Sequence, residues 1–344
     1  MSPHRTPRRT LLVGTLATSL AVTLASCASA SGGGEGDDRP LYVVGFAVPE
    51  AANEAIEAKF VETPEGEGVT FSGSYGASGD QSRKVVDGAD ADYVHFSLEG
   101  DVTRLVEAGI VAEDWNQNET QGIVSDSVVV LVVPEGNPDD IQGWDDLTRD
   151  DVDIITPDPD SSGSARWNIL GAYGHAIAAG GSEEEAAAYL TDVFANVAQW
   201  AGSGREATEA FDQGIGNVLI SYENEAILAR QEGKPYDYVV PDTTLLIENP
   251  GAVTVDAHPA AQDWLDFVLS EEGQTEFVRK GFRPVIDGVE GIEVEGANDP
   301  SDPFPTPENL LTIADDFGGW SAVNEKFFAD GALVQQLREA ASQR

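Results

Sequence analysis

Ile154-Ile-Thr-Pro-Asp-Pro-Asp-Ser-Ser-Gly-Ser-Ala-Arg-Trp-Asn168 changes character twice along its length. The opening, Asp153 to Thr156, is a short apolar run that reads as a strand. Pro, Asp, Ser and Gly then supply turn chemistry. From Ser164 to about residue 178 the apolar positions recur at helical spacing. Strand, small-residue turn, helix is one βα unit, and such units build parallel α/β layers.

Working outward, the same alternation recurs. Leu41 to Ala47, Val69 to Ser74 and Asp92 to Phe96 read as strands. Between them lie a helix with Ala51, Ala52, Ala55, Ile56 and Phe60 on one side and a second helix from about Gly79 to Val86, stopped by Gly88. Ser127 to Val133 is apolar after its first residue, the pattern of a strand buried on both faces. A helix at 183–198 opens on Ser182-Glu-Glu-Glu185, a capping box, and carries Tyr189, Val193, Val197 and Trp200 on one face. Gly216 to Tyr222 is a strand and Glu223 to Gln231 a helix. Segments 237–240 and 244–248 are strand-like, and helices are expected at about 260–270 and 272–280. The tail from Pro303 carries two further helical stretches. The pattern and length fit two α/β lobes with a ligand cleft at the carboxyl ends of the strands.

The N-terminus reads as an address. Arg5, Arg8 and Arg9 precede an apolar stretch, Leu11 to Ala25, which is too short and too rich in Thr, Ser and Gly to span a bilayer. It ends in Leu24-Ala-Ser-Cys27, the small-residue pattern before a cysteine that becomes lipidated. Residues 1–26 are therefore expected to be a lipoprotein signal peptide. Residues 27–39 follow as a Gly/Ser-rich tether, leaving the protein held to the outer membrane face through Cys27. Cys27 is the single cysteine, so no internal disulfide and no multi-cysteine metal site is possible. The formal net charge is −42, and −45 without the first 26 residues. Such a chain repels nucleic acid and anionic membranes.

Catalytic signatures are missing: no P-loop and no Gly-x-Ser-x-Gly elbow. His4 lies in the leader. His95, His175 and His258 are far apart, outside any metal-ligand spacing, and are expected to be structural or exposed. No metal and no cofactor is expected. One feature does recur, in which small residues open a helix directly after a strand. Ser74-Tyr-Gly-Ala-Ser-Gly79, Pro159-Asp-Ser-Ser-Gly-Ser164 and Gly202-Ser-Gly204 all do so, the last before a helix starting near Arg205. Each offers unpaired backbone N–H groups and the positive end of a helix dipole, the elements of an anion site.

These segments resemble the bacterial sulfate- and thiosulfate-binding protein family, the substrate-binding components of ABC importers. The likeness is carried by Ser74 to Gln81, Gly136-Asn-Pro138, Trp144-Asp-Asp-Leu147 and Thr156 to Asn168. It continues through Arg205, Gly214-Ile-Gly216, Glu223-Asn-Glu-Ala226, Gly273-Gln274, Phe282-Arg-Pro284 and Phe317-Gly-Gly-Trp320, covering roughly residues 41 to 340 in order.

The resemblance implies a two-lobed periplasmic-binding-protein fold of the second type, each lobe a mostly parallel sheet flanked by helices, with the ligand between. The first lobe would span 40–124 plus about 249–302 and the second 125–248. Residues 303–344 would pack across both, and hinges would lie near Ser125–Ser127 and Ile247–Pro250. Carried over residue by residue, the anion donors would be the backbone N–H groups of Ala47, Ser78, Gly163, Ser164 and Gly204, with the hydroxyl of Ser162. Gly79, Arg166 and Arg205 would stand behind them, the arginines paired with acids or carbonyls beside the cleft. The family's last donor is a tryptophan indole, and here that position is Tyr222. Asp80 also departs from the family's frequent lysine.

The implied protein is a monomeric binding protein and not an enzyme. Its ligand would be sulfate, its partner an ABC permease, and its one membrane link the lipid on Cys27. Thiosulfate or another tetrahedral oxyanion, or an oxyanion-sensing role, is the alternative. A donor-only pocket suits a fully ionised oxyanion. A ligand hydroxyl buried there without an acceptor costs about 1–3 kcal/mol. Tyr222 loosens that selectivity, because a phenol accepts as well as donates.

Overall fold

The computed structural model describes residues 39–344; the signal segment, Cys27 and nearly all of the tether lie outside the described residues. The strands are β1 (Leu41–Phe46), β2 (Phe71–Gly76), β3 (Tyr93–His95), β4 (Ile123–Pro134), β5 (Ile154–Pro157), β6 (Val197–Ala201), β7 (Val218–Tyr222), β8 (Tyr236–Val239), β9 (Thr243–Val253) and β10 (Asn309–Leu311). The helices are α1 (Glu50–Phe60), α2 (Ser78–Val86), α3 (Glu99–Glu107), α4 (Gly163–Ala178), α5 (Glu183–Ala195), α6 (Gly204–Asp212), α7 (Glu223–Gln231), α8 (Ala261–Val268), α9 (Glu271–Arg279), α10 (Ile313–Phe317), α11 (Trp320–Val323) and α12 (Leu333–Ala341).

The sheet runs β2-β1-β3-β9-β4-β7-β5-β6, with β10 added to β9 and β8 to β4. Both flanks are parallel: β1 with β2 and β3, and β5 with β6 and β7. The centre is antiparallel, because the two long strands β4 and β9 pair with each other over Ile123–Val128 and Leu246–Pro250. From there β9 runs on to β3, while β4 runs on to β7 and β8. These two strands therefore belong to both halves of the sheet.

Burial on both faces explains the apolar run in β4. Successive side chains point to opposite faces of a sheet. Val129, Leu131 and Val133 enter one core with Trp144 and Trp167. Val128, Val130 and Val132 enter another with Ile155 and Leu219. A third core, around Val44, Val94, Phe96 and Leu105, closes the outer face of the β1–β3 half.

Three local expectations are corrected. The helix at 183–198 ends at Ala195, so Val197 and Trp200 belong to β6 and not to the helix face. Asn196 leaves helical geometry, and its amide donates to the carbonyls of Leu147 and Arg149 (both 2.8 Å). That hold releases Val197 to pair with Ile154. The strand at 244–248 extends over Thr243–Val253, straight through Pro250-Gly251. Glycine is required there, since a Cβ on Gly251 would lie 2.4 Å from the Tyr93 hydroxyl. Finally, α3 follows β3 in a segment for which no helix was expected.

The tail adds β10 to the sheet and lays α12 along α5. It is tied down by Lys326 with Glu183 (2.5 Å), Arg338 with Asp158 (2.9 Å) and Trp320 packed edge-on against Trp167 (4.8 Å between centroids).

Candidate functional site

The parallel strands of the two flanks run in opposite directions, β3 ending beside Gly251 of β9 and β7 beside Val129 of β4, so their ends and the following helix starts face the centre of the sheet from both sides. β1 ends at Phe46, β2 at Gly76, β3 at His95, β5 at Pro157, β6 at Ala201 and β7 at Tyr222, and each is followed by a helix start. Three of these starts carry the predicted donors. At α2 and α4 the N-cap residues, Ala77 and Ser162, make no side-chain hydrogen bond to their own helix. The first-turn N–H groups there have no side-chain cap, and the Ser162 hydroxyl is not engaged in capping. The third start, α6, is capped by Ser203, whose Oγ accepts from Glu206 N (3.2 Å).

The predicted residues meet around one serine that the sequence reading did not name. Ser97, fully buried, follows β3. Its Oγ lies 2.8 Å from the Tyr222 hydroxyl. Its N–H donates to Ser78 Oγ (3.0 Å), while the Ser78 hydroxyl hydrogen goes to Asp101 Oδ2 (2.6 Å). A Cβ on Gly163 would come within 2.5 Å of Ser97 Oγ, so only glycine allows this approach of α4 to β3. Gly204 faces Ser164 Oγ and Val48, each 3.1 Å from its would-be Cβ, and Gly79 faces the Ser161 carbonyl at the same distance. Ser78, Ser162, Gly163, Ser164, Gly204 and Tyr222 are thus buried in one neighbourhood. The remaining predicted donor differs: the Ala47 N–H is engaged by the Gly76 carbonyl (2.9 Å), continuing the β1–β2 ladder.

The two arginines have partners of their own. Arg205 pairs with the buried Glu225 (2.9 Å). Arg166 donates to Asn324 Oδ1 (3.0 Å) and lies over the Phe328 ring (4.8 Å). Burial raises Glu225, and the facing guanidinium opposes that rise. Burial also pushes the Tyr222 phenol well above its usual range, so it stays protonated and able to donate.

Further polar groups complete the setting. The Ser97 carbonyl accepts from Trp167 Nε1 (2.9 Å) and Asn249 Nδ2 (3.2 Å). Asp101 is held by Arg104 (2.8 Å). His95 sits between Asn53 Oδ1 and Ser125 Oγ (3.2 Å each), and burial lowers it to about 3, so it is neutral. His175 contacts Asp145, and His258 Nδ1 accepts from Ala260 N. The Phe96-Ser97-Leu98 turn carries the strand-then-helix signature of the other starts, but without a glycine to mark it. Among the described residues there is no cluster of His, Cys, Asp or Glu suited to a metal ion, and no helix is long and apolar enough to cross a membrane.

A family model described as bacterial extracellular solute-binding protein matches residues 41–283. The sulfate-binding protein of Synechococcus elongatus is 39% identical, with 98% of this chain and 99% of that protein aligned. The thiosulfate-binding protein of Pseudomonas aeruginosa is 30% identical over 92% of this chain and 97% of its own. Among solved structures, the sulfate-binding protein SubI from Mycobacterium tuberculosis superposes with a TM-score of 0.78 at 43% identity, covering 84% of this chain and 99% of that one. The chain therefore belongs to the bacterial extracellular solute-binding proteins and has the periplasmic-binding-protein fold, alongside the sulfate- and thiosulfate-binding proteins.

Proposed function

We propose that this protein captures sulfate through neutral donors at the starts of α2, α4 and α6 and delivers it to an ABC permease, held at the membrane by a lipid on Cys27. The observation that carries this is the convergence of the α2 and α4 starts, which have no side-chain cap, with the α6 start and the Ser162 and Tyr222 hydroxyls in one buried neighbourhood. The donors are the N–H groups of Ser78, Gly163, Ser164 and Gly204 and those two hydroxyls. Helix ends spread a dianion's charge over many dipoles and require no buried lysine. The local donors outweigh the net charge of −45 left once residues 1–26 are removed, because distant surface charges are screened beyond about 10 Å at ordinary salt.

Lobe closure about β4 and β9 fits the fold, since both strands belong to both halves of the sheet. The hinges are placed near Ser125–Ser127 and Ile247–Pro250. Ala47 stands outside the donor set while its N–H is on Gly76. Thiosulfate is the second reading, favoured by the thiosulfate-binding relative at 30% identity. Calorimetry of anion-stripped protein with sulfate, thiosulfate, phosphate and molybdate tests both. Sulfate is expected to bind tightest, and thiosulfate outranking it would transfer the assignment.

A further inference from the structure

A phenol among backbone N–H donors poses a chemical problem, because, like the Ser162 hydroxyl, it offers an acceptor as well as a hydrogen. An oxyanion that still bears a proton could donate to that acceptor and be tolerated. The environment of Tyr222 answers the problem. Ser97 Oγ sits 2.8 Å from the phenol oxygen, and neither group has access to solvent worth the name: Ser97 is 0% and Tyr222 1% exposed. Ser97 is pinned from three directions, by Ser78 on its N–H and by Trp167 and Asn249 on its carbonyl. Gly163 presses against its Oγ. The side chains of Ser164 and Asn249 border the same phenol.

Two hydroxyls carry two hydrogens, and one of them lies between the two oxygens. The phenol is the more acidic hydroxyl and hence the stronger donor. A charged oxyanion is a stronger acceptor than a neutral serine oxygen. Pairing the strongest donor with the strongest acceptor sends the phenol hydrogen to the anion and the serine hydrogen to the phenol. The second bond also polarises the first.

We propose that Ser97 is a specificity-determining positioning residue: by donating to the Tyr222 oxygen it makes the phenol a one-way donor, which admits fully ionised oxyanions and rejects proton-bearing ones. This presupposes the oxyanion capture proposed above. With its acceptor occupied, Tyr222 does the work of an indole N–H, which has nothing to accept with.

The test is competition against labelled sulfate at about pH 8, where phosphate keeps one proton, using wild type, Ser97→Ala, Tyr222→Trp and the double variant of the full chain. Ser97→Ala is expected to lower the sulfate-to-phosphate preference at least about fivefold. In the Tyr222→Trp background, removing Ser97 should change that preference by less than about twofold, because an indole has no acceptor to fill. A smaller loss in the single variant, or an equal loss in the Tyr222→Trp background, overturns the role of Ser97. Thermal melts without anion report folding, and Ser97→Gly repeats the comparison should Ser97→Ala fail to fold. Wild type that holds no labelled sulfate contradicts sulfate capture itself, a result distinct from failure of the Ser97 comparison.

Discussion

The starts of α4 and α5 carry the same N-cap residue type and use it in opposite ways. Ser182 caps α5: its Oγ accepts from Glu185 N (3.2 Å), and Glu185 Oε2 accepts from Ser182 N (2.8 Å). Glu183, Glu184 and Glu185 complement the helix dipole. Ser162 stands at the same position of α4 and makes no such bond, and no acidic residue enters the first turn. In α5 the acid at the third position satisfies the helix from within. Alanine at the third position, Ala165, leaves the α4 dipole for a ligand to complete. A serine before a helix therefore signals a helix start; the residue three places later distinguishes α4 from α5 but is not a general sign, since the α2 and α6 starts carry Asp80 and Glu206 there.

The largest break in this comparison is expected from Gly163→Ala. The added Cβ would fall 2.5 Å from Ser97 Oγ and 2.7 Å from Ser97 Cβ, forcing α4 away from β3. Sulfate affinity should drop at least about 100-fold in calorimetry, the loss of roughly two charge-assisted bonds.

Next comes the pair Ser162→Ala and Ser182→Ala. Removing the Ser162 hydroxyl should weaken sulfate binding about tenfold or more and leave the anion-free melting temperature almost unchanged. Removing the Ser182 hydroxyl should do the reverse, costing about 1 kcal/mol of stability with no change in affinity. Equal effects of the two variants on binding would erase the distinction drawn between the two helix starts.

The smallest expected effect is on pH dependence. The bonds from Ser182 hold the Glu185 carboxyl below its ordinary value of 4.5. A depressed acid stabilises the fold above its unfolded value, and that contribution is lost as pH falls through the folded value. The melting difference between wild type and Glu185→Gln should therefore be present at neutral pH and vanish in acid below that ordinary value. The α4 start has no acid to titrate, and Tyr222 is pushed upward by burial. Sulfate affinity should accordingly stay flat from neutral to mildly alkaline pH, as calorimetry at several pH values would reveal.

How far the sequence spoke depended on whether a signal was local. The βα alternation was legible because period and turn chemistry are local properties, and β4 announced its double burial by an unbroken apolar run. Val197 and Trp200 misled because their spacing continues a helical face, while the Asn196 bonds that end α5 come from residues nearly fifty positions away. The strand expected at 244–248 stops short of Pro250-Gly251, where the crowding by Tyr93 that calls for the glycine is not a local signal. Ser162, Gly163, Ser164 and Gly204 stood out through their turn residues. Ser97 did not, since its meaning lies in a bond to Tyr222, 125 positions later in the chain.

Titration calorimetry of the full, anion-stripped chain with sulfate and then phosphate tests the central claim most directly. The account predicts saturable sulfate binding, with phosphate weaker by more than about tenfold, a gap of roughly 1.4 kcal/mol or more. Phosphate binding within that margin of sulfate, or no heat with sulfate at all, would contradict a buried site that offers the anion its donors.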